Sequence, residues 1–159
     1  MGLGLGDNFH IVWTGHRGLW WPALLKTVAS EVYRIGTPSL LILQLGENDL
    51  PVTTGRNLLQ SIINDLAILQ HCLPGMHLVW SCLLEHLQWR GAAAPEKIDL
   101  ARRRVCKGAA CFVSCSGGLV LRHPDITYRI PALYRNDGVH VSDWGMDIWL
   151  QDIRGALWQ

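Results

Sequence analysis

The sequence predicts a three-layer α/β fold, a mostly parallel sheet flanked by helices, and two observations predict it. Short apolar runs of strand length alternate with longer stretches whose apolar residues recur at helical spacing. The unusual polar residues cluster directly after the runs, and a parallel sheet puts its binding site outside the carboxyl ends of its strands. With 159 residues, 49% of them hydrophobic, the chain suits one domain with a substantial core. Residues 1–159 are therefore taken as a single unit, without repeats or low-complexity tracts.

The opening Gly2-Leu3-Gly4-Leu5-Gly6 reads as loop. Phe9 to Trp13 is a short apolar run bounded by Gly15 and reads as a strand. Trp20 to Tyr33 reads as a helix with Leu24, Leu25, Val28 and Val32 on one face. Leu40 to Leu45, apolar except for Gln44, reads as a strand buried on both faces. Thr53 or Thr54 caps a helix that runs to about Cys72 on an apolar face of Leu58, Leu59, Ile62, Ile63, Leu66 and Leu69. Met76 to Leu83 is the next strand, and a loop through Trp89, Arg90 and Gly91 leads to a helix from Pro95 to Phe112. Leu119 to Leu121 is a short strand, residues 123 to 140 are loop, and Ser142 caps a last helix ending near Leu157. That helix has Trp144, Ile148 and Ile153 on its apolar side. Trp13, Trp80, Trp144 and Trp149 are assigned to the core. Trp20, Trp21 and Trp89 belong either to the core, to an apolar cleft or to a partner surface.

Net charge is +1, which gives no electrostatic basis for nucleic acid or an anionic membrane as partner. The run Arg102-Arg103-Arg104 reads as a solvated helical face. Cys72, Cys82, Cys106, Cys111 and Cys115 contain no C-x-x-C pair and read as buried small hydrophobes, not disulfides or a metal site. No stretch approaches the roughly 20 apolar residues of a membrane span. The start of the chain has no signal-peptide pattern, so a cytoplasmic location is expected.

Three places could carry chemistry: Thr14-Gly15-His16-Arg17-Gly18 after the first apolar run, Gly46 to Asp49 after the second, and Asp137 to His140 before the last helix. Gly46-Glu47-Asn48-Asp49 follows the second apolar run. There a glycine permits a sharp exit from the strand, and the Asn48 amide could donate to a developing oxyanion. The same residues would also serve as turn and helix cap. Asp137 and His140 stand three apart, a spacing that lets a carboxylate orient an imidazole acting as general base. An exposed Asp-Gly turn with an incidental histidine fits the spacing too.

Taken together, and in this order, these residues resemble the blocks of the SGNH (GDSL-like) hydrolase family. Gly18 is similar to the block-two glycine, Gly46, Asn48 and Asp49 to the G-x-N-D of block three, and Asp137 and His140 to the D-x-x-H of block five. The resemblance spans nearly the whole chain and implies a flavodoxin-like sheet and hydrolysis of a small acyl ester without cofactor or metal. It also implies site roles: His140 as base, Asp137 as its orienter, Gly18 and Asn48 as oxyanion donors, and Gly46 and Asp49 as support. More narrowly, Trp80-Ser81 and the stretch Asp137 to Asp143 look like SGNH-like domains of vertebrate open reading frames, some derived from retroelements.

The chain departs from the pattern at block one, the first strand followed by G-x-S that carries the nucleophile. The run Phe9 to Trp13 matches the family's second strand, and Gly6-Asp7-Asn8 resembles G-D-S by letters only. Ser142 lies two residues beyond His140 as a helix cap, and Ser81 falls within or just after the third strand, where the family does not place its nucleophile. The expectations are therefore an N-terminally truncated fold lacking the usual first strand, and a site without activity. A non-catalytic binding or assembly module is the alternative. A flavodoxin-like nucleotide binder ranks last, since no G-x-G-x-x-G follows a strand.

Overall fold

Three parallel strands form the sheet in the order β1-β2-β3: β1 is Leu40–Leu43, β2 His77–Ser81 and β3 Leu119–Leu121. The computed structural model describes residues 9–89, 92 and 94–157. The register sets Leu41 beside Leu78 and Val79 beside Leu119. Four helices accompany the strands: α1 Leu24–Ile35, α2 Gly55–Cys72, α3 Pro95–Cys115 and α4 Asp143–Leu157. A single 3-10 turn, Trp21–Ala23, leads into α1.

Strand alternation divides the core. In β2, Leu78 and Trp80 face α1, α2 and α3 with Trp21, Ile62, Leu66, Val105 and Val113, while Val79 faces α4 with Leu121 and Ile153. Helices thus cover both faces, and the middle of β2, Leu78 to Trp80, is apolar because neither of its faces meets water there, while His77 at its start is exposed. Full burial of each side chain such as Ile62 or Leu66 contributes roughly 1.5–3 kcal/mol. The Thr54 side chain accepts from the Asn57 amide at 3.2 Å and caps α2. Ser142 Oγ accepts from the Gly145 amide at 3.3 Å at the start of α4. Both caps fall where the sequence puts them.

Phe9 to Trp13 forms no strand. Ile11 instead packs on the α4 side of the sheet against Leu40 and Ile42, and the Trp13 ring meets Trp149 at a centroid distance of 5.9 Å. An apolar run signals burial, but a strand also requires a neighbour's backbone, and among the described residues none pairs with the outer edge of β1. The strands at Leu40 and Met76 are also shorter than expected. Residues 44 and 45 after β1, and 82 and 83 after β2, leave the ladder and enter the loops at the sheet's carboxyl end. Helix α3 runs three residues past Phe112. The expected loops at Gly2 to Gly6 and at Arg90 and Gly91, and the Gly6-Asp7-Asn8 triplet, lie outside the described residues.

Several side chains differ from expectation. Trp21, Trp80 and Trp89 are buried, but Trp13, Trp20 and Trp144 are exposed. Trp144 lies in the first turn of α4, ahead of the part that Ile153 seats on the sheet. Arg102 is buried, not solvated. Its guanidinium donates to Asp99 at 2.8 Å, to Glu85 at 3.0 Å and to the Leu83 carbonyl at 3.0 Å, which together replace water. Cys82 and Cys106 are buried, whereas Cys72, Cys111 and Cys115 are exposed. Among the described residues no helix is long and apolar enough to cross a membrane. No group of three or more His, Cys, Asp or Glu among them is placed to hold a metal ion.

Candidate active site

The segment after β1 turns at Gly46, whose φ of 124° suits glycine, and a Cβ there would meet Leu83 at 3.3 Å. The turn closes with the Asp49 amide donating to the Gly46 carbonyl at 3.2 Å. Two side chains then reach the segment ahead of α1. Asn48 Nδ2 donates to the Leu19 carbonyl at 2.9 Å, and Asp49 Oδ2 accepts from the Trp21 amide at 3.0 Å. Asp49 is buried, and burial raises its carboxyl above the ordinary value, against the pull of the Trp21 amide. Gly18, at φ 68°, immediately precedes Leu19. The structure therefore brings Gly18, Gly46, Asn48 and Asp49 together, and Asn48 keeps its second amide hydrogen.

Asp137 and His140 occupy a tight loop closed by the Tyr134–Val141 bridge and by the Arg135 amide on the His140 carbonyl at 2.8 Å. Asp137 Oδ1 accepts from the amides of Val139 at 2.9 Å and His140 at 3.0 Å, while Oδ2 lies 2.6 Å from His140 Nδ1. The His140 bond first, then the two amides, hold the Asp137 carboxyl well below the usual carboxylate range. With Nδ1–H donated to Asp137, the lone pair sits on Nε2, which makes no hydrogen bond among the described residues. The His140 side chain is 55% exposed. No described hydroxyl touches it.

The segment after β2 fastens both loops. The Leu84 amide donates to Glu47 Oε1 at 3.0 Å, and the Gln88 amide donates to the Gly138 carbonyl at 2.8 Å. Between them His86 stacks on Trp89 at 4.2 Å, and burial drives its pKa down to about 4. No hydrogen bond joins Asn48 directly to His140 among the described residues.

Sequence reasoning missed a second constellation. Ser81 Oγ lies 2.7 Å from His123 Nε2, and His123 Nδ1 lies 2.8 Å from Asp152 Oδ2. These are the atoms of a hydrolytic triad in their proper order. Ser81, however, is 0% exposed, and its hydroxyl also meets Gln44 Oε1, while Gln44 Nε2 donates to Glu47. A hydroxyl has one proton to donate. That proton is contested between Gln44 Oε1 and His123 Nε2 and can go to only one of them at a time. Burial lowers the His123 pKa against the pull of Asp152, and burial raises that of Glu47. The available signal was positional: Gln44, Ser81 and His123 all stand at or just past strand ends, where a parallel sheet converges.

A parallel sheet between two helical layers, with polar loops gathered at its carboxyl end, is an architecture shared with solved structures. The fold is that of the GDSL-like hydrolases. A GDSL-like lipase from Bacteroides thetaiotaomicron aligns at a TM-score of 0.66 and 18% identity, over 87% of this chain and 71% of that one. A proposed acylhydrolase from Bacteroides fragilis aligns at 0.69 and 16% identity, over 87% and 70%. A protein proposed to be a platelet activating factor from Streptococcus pneumonia aligns at 0.73 and 18% identity, over 94% and 73%. No family model matches the sequence, and no curated protein matches it. At such identities the likeness is one of fold. Within this GDSL-like fold both polar loops, at Gly46–Asp49 and at Asp137–His140, are hydrogen-bonded to the segment after β2.

Proposed function

We propose that the chain is an SGNH-type acyl-ester hydrolase domain that retains the base and oxyanion parts of the site and lacks a serine nucleophile. The 2.6 Å contact between Asp137 and His140 Nδ1 carries this reading. It fixes the tautomer whose Nε2 could take a proton from an attacking hydroxyl, and Asp137 would stabilise the imidazolium that forms. The Gly18 amide and the second Asn48 amide hydrogen would receive the oxyanion, a preorganised donor of this kind being worth about 3 kcal/mol. Support for inactivity comes from the absence of a described hydroxyl against His140.

The missing hydroxyl equally favours a second reading, a silent binding or assembly module, for which the sequence resemblance suggests a retroelement origin. One experiment serves both: turnover of p-nitrophenyl acetate by the chain, by His140→Ala and by Ser81→Ala. We expect no rate above background that either substitution removes. A rate abolished by His140→Ala would show that the chain holds a nucleophile. A rate abolished by Ser81→Ala alone would move the site to Ser81.

A further inference from the structure

Beside the end of β2 lies a cavity of about 300 Å³ whose lining includes both buried cysteines, together with Arg102, Lys107, Arg122 and Glu85. Cys82 follows Ser81 directly, and its backbone N–H donates to the Leu121 carbonyl at 2.9 Å. Cys106 stands in the middle of α3, with its sulfur 3.8 Å from the carbonyl of Leu83, the residue after Cys82. Both side chains belong to one buried cluster, and the Cys106 S–H donates to the Leu83 carbonyl. Each cysteine is 7% exposed, and both line the same cavity.

We propose that Cys82 and Cys106 form an oxidation site, in which a hydroperoxide entering this cavity converts the pair to a disulfide joining the end of β2 to α3. Cys82, as thiolate, attacks the outer peroxide oxygen. The O–O bond breaks, the inner oxygen leaves as alcohol or water after taking a proton, and Cys82 becomes a sulfenic acid. Cys106 sulfur then attacks that sulfur, the S–O bond breaks, and the Cys106 proton leaves with the oxygen as a second water. Two thiols are oxidised and one peroxide is reduced. The roles follow from the surroundings. The Cys106 S–H, and then Arg122 and Arg102, hold the Cys82 thiol below its ordinary value, whereas the contact with Cys82 and burial push Cys106 up. Arg102 is committed to Asp99 and Glu85, but Lys107 and Arg122 make no ion pair among the described residues. Positive charge therefore faces the attacking sulfur. Cys72, Cys111 and Cys115 are exposed and do not line this cavity.

The test uses the full chain. It is treated with stoichiometric hydrogen peroxide, alkylated under denaturing conditions and digested without reductant. The expected result is a peptide linking Cys82 to Cys106, lighter by two hydrogens than its separate parts and lost on adding dithiothreitol, with Cys72, Cys111 and Cys115 alkylated. In Cys106→Ser, Cys82 is expected to halt as a sulfenic acid that dimedone captures. Recovery of Cys82 and Cys106 as alkylated thiols while the exposed cysteines oxidise would overturn the proposal. So would dimedone capture at Cys72, Cys111 or Cys115 in place of Cys82. The wild-type cross-link decides the matter alone if the variant does not fold.

Discussion

Ser81 shows how far geometry can resemble catalysis without supplying it. Its distances to His123 and onward to Asp152 suit a triad, yet the hydroxyl is sealed and shared with Gln44. It acts as a joint between β1, β2, the end of β3 and α4. Ser81→Ala should cost about 1–3 kcal/mol, because it leaves His123 Nε2 and the Gln44 carbonyl without a partner in the interior. Chemical denaturation measures this, and a fluorophosphonate probe should leave Ser81 unlabelled in the native chain. Labelling there would make Ser81 a nucleophile. His86 carries a second residue-scale consequence. Its folded pKa of about 4 lies below the unfolded value of about 6.5. The unfolded chain therefore binds the proton first, so the stability from neutral His86 is complete above pH 6.5 and is lost as pH falls toward 4. The difference corresponds to at most about 3 kcal/mol. A melting-temperature series between those pH values should fall less steeply for His86→Gln than for the parent. Equal slopes would mean that His86 is not held neutral.

At the scale of elements, α4 contains a contrast that tests its docking. A Cβ at Gly145 would lie 2.5 Å from the Leu133 carbonyl oxygen, with backbone on both sides of the clash, whereas one at Gly155 would meet nothing within 4 Å. Gly145→Ala should therefore destabilise by about 1–3 kcal/mol through overpacking. Gly155→Ala should stabilise by roughly 0.5–1 kcal/mol through helix propensity alone. Thermal melts of the two variants should move in opposite directions. A melt for Gly145→Ala that matches the parent would mean that α4 does not seat on the Pro131–Leu133 turn as described.

At the scale of the whole molecule, the outer edge of β1, with which no strand pairs among the described residues, is the main structural liability. Leu40, Leu41 and Ile42 are only half-buried although the run is wholly apolar. An unpaired edge of this kind invites association with other chains. A family-type first strand ending in G-x-S, fused ahead of Gly2, should pair with this edge and cover those side chains. Two or three further buried aliphatics, at roughly 1.5–3 kcal/mol each, would be a large addition to a domain stability of about 5–15 kcal/mol. The fusion should melt higher than the parent, be less prone to associate, and gain esterase activity that His140→Ala removes. An unchanged melt and no activity would favour the silent module.

Local chemistry made much of this protein legible from its sequence. Helices α1 and α2 follow from the 3.6-residue spacing of their apolar faces, the Thr54 and Ser142 caps from their hydroxyls, and β3 from its bounding glycines and polar loop. The Asp137–His140 contact follows from a three-residue spacing in a tight loop. Such features depend on neighbours in the chain, so the chain discloses them. Tertiary structure alone decided the rest. Phe9 to Trp13 had the apolar content of a strand but, among the described residues, no backbone to pair with. Arg102 looked solvated because its partners Glu85 and the Leu83 carbonyl lie 17 and 19 residues away. Ser81, His123 and Asp152 are separated by 42 and 29 residues, so only the side-by-side arrangement of strand ends and the return of α4 bring them into contact. Pairing, burial and hydrogen bonding across such distances depend on which surfaces the fold sets face to face, and no periodicity within a segment encodes that.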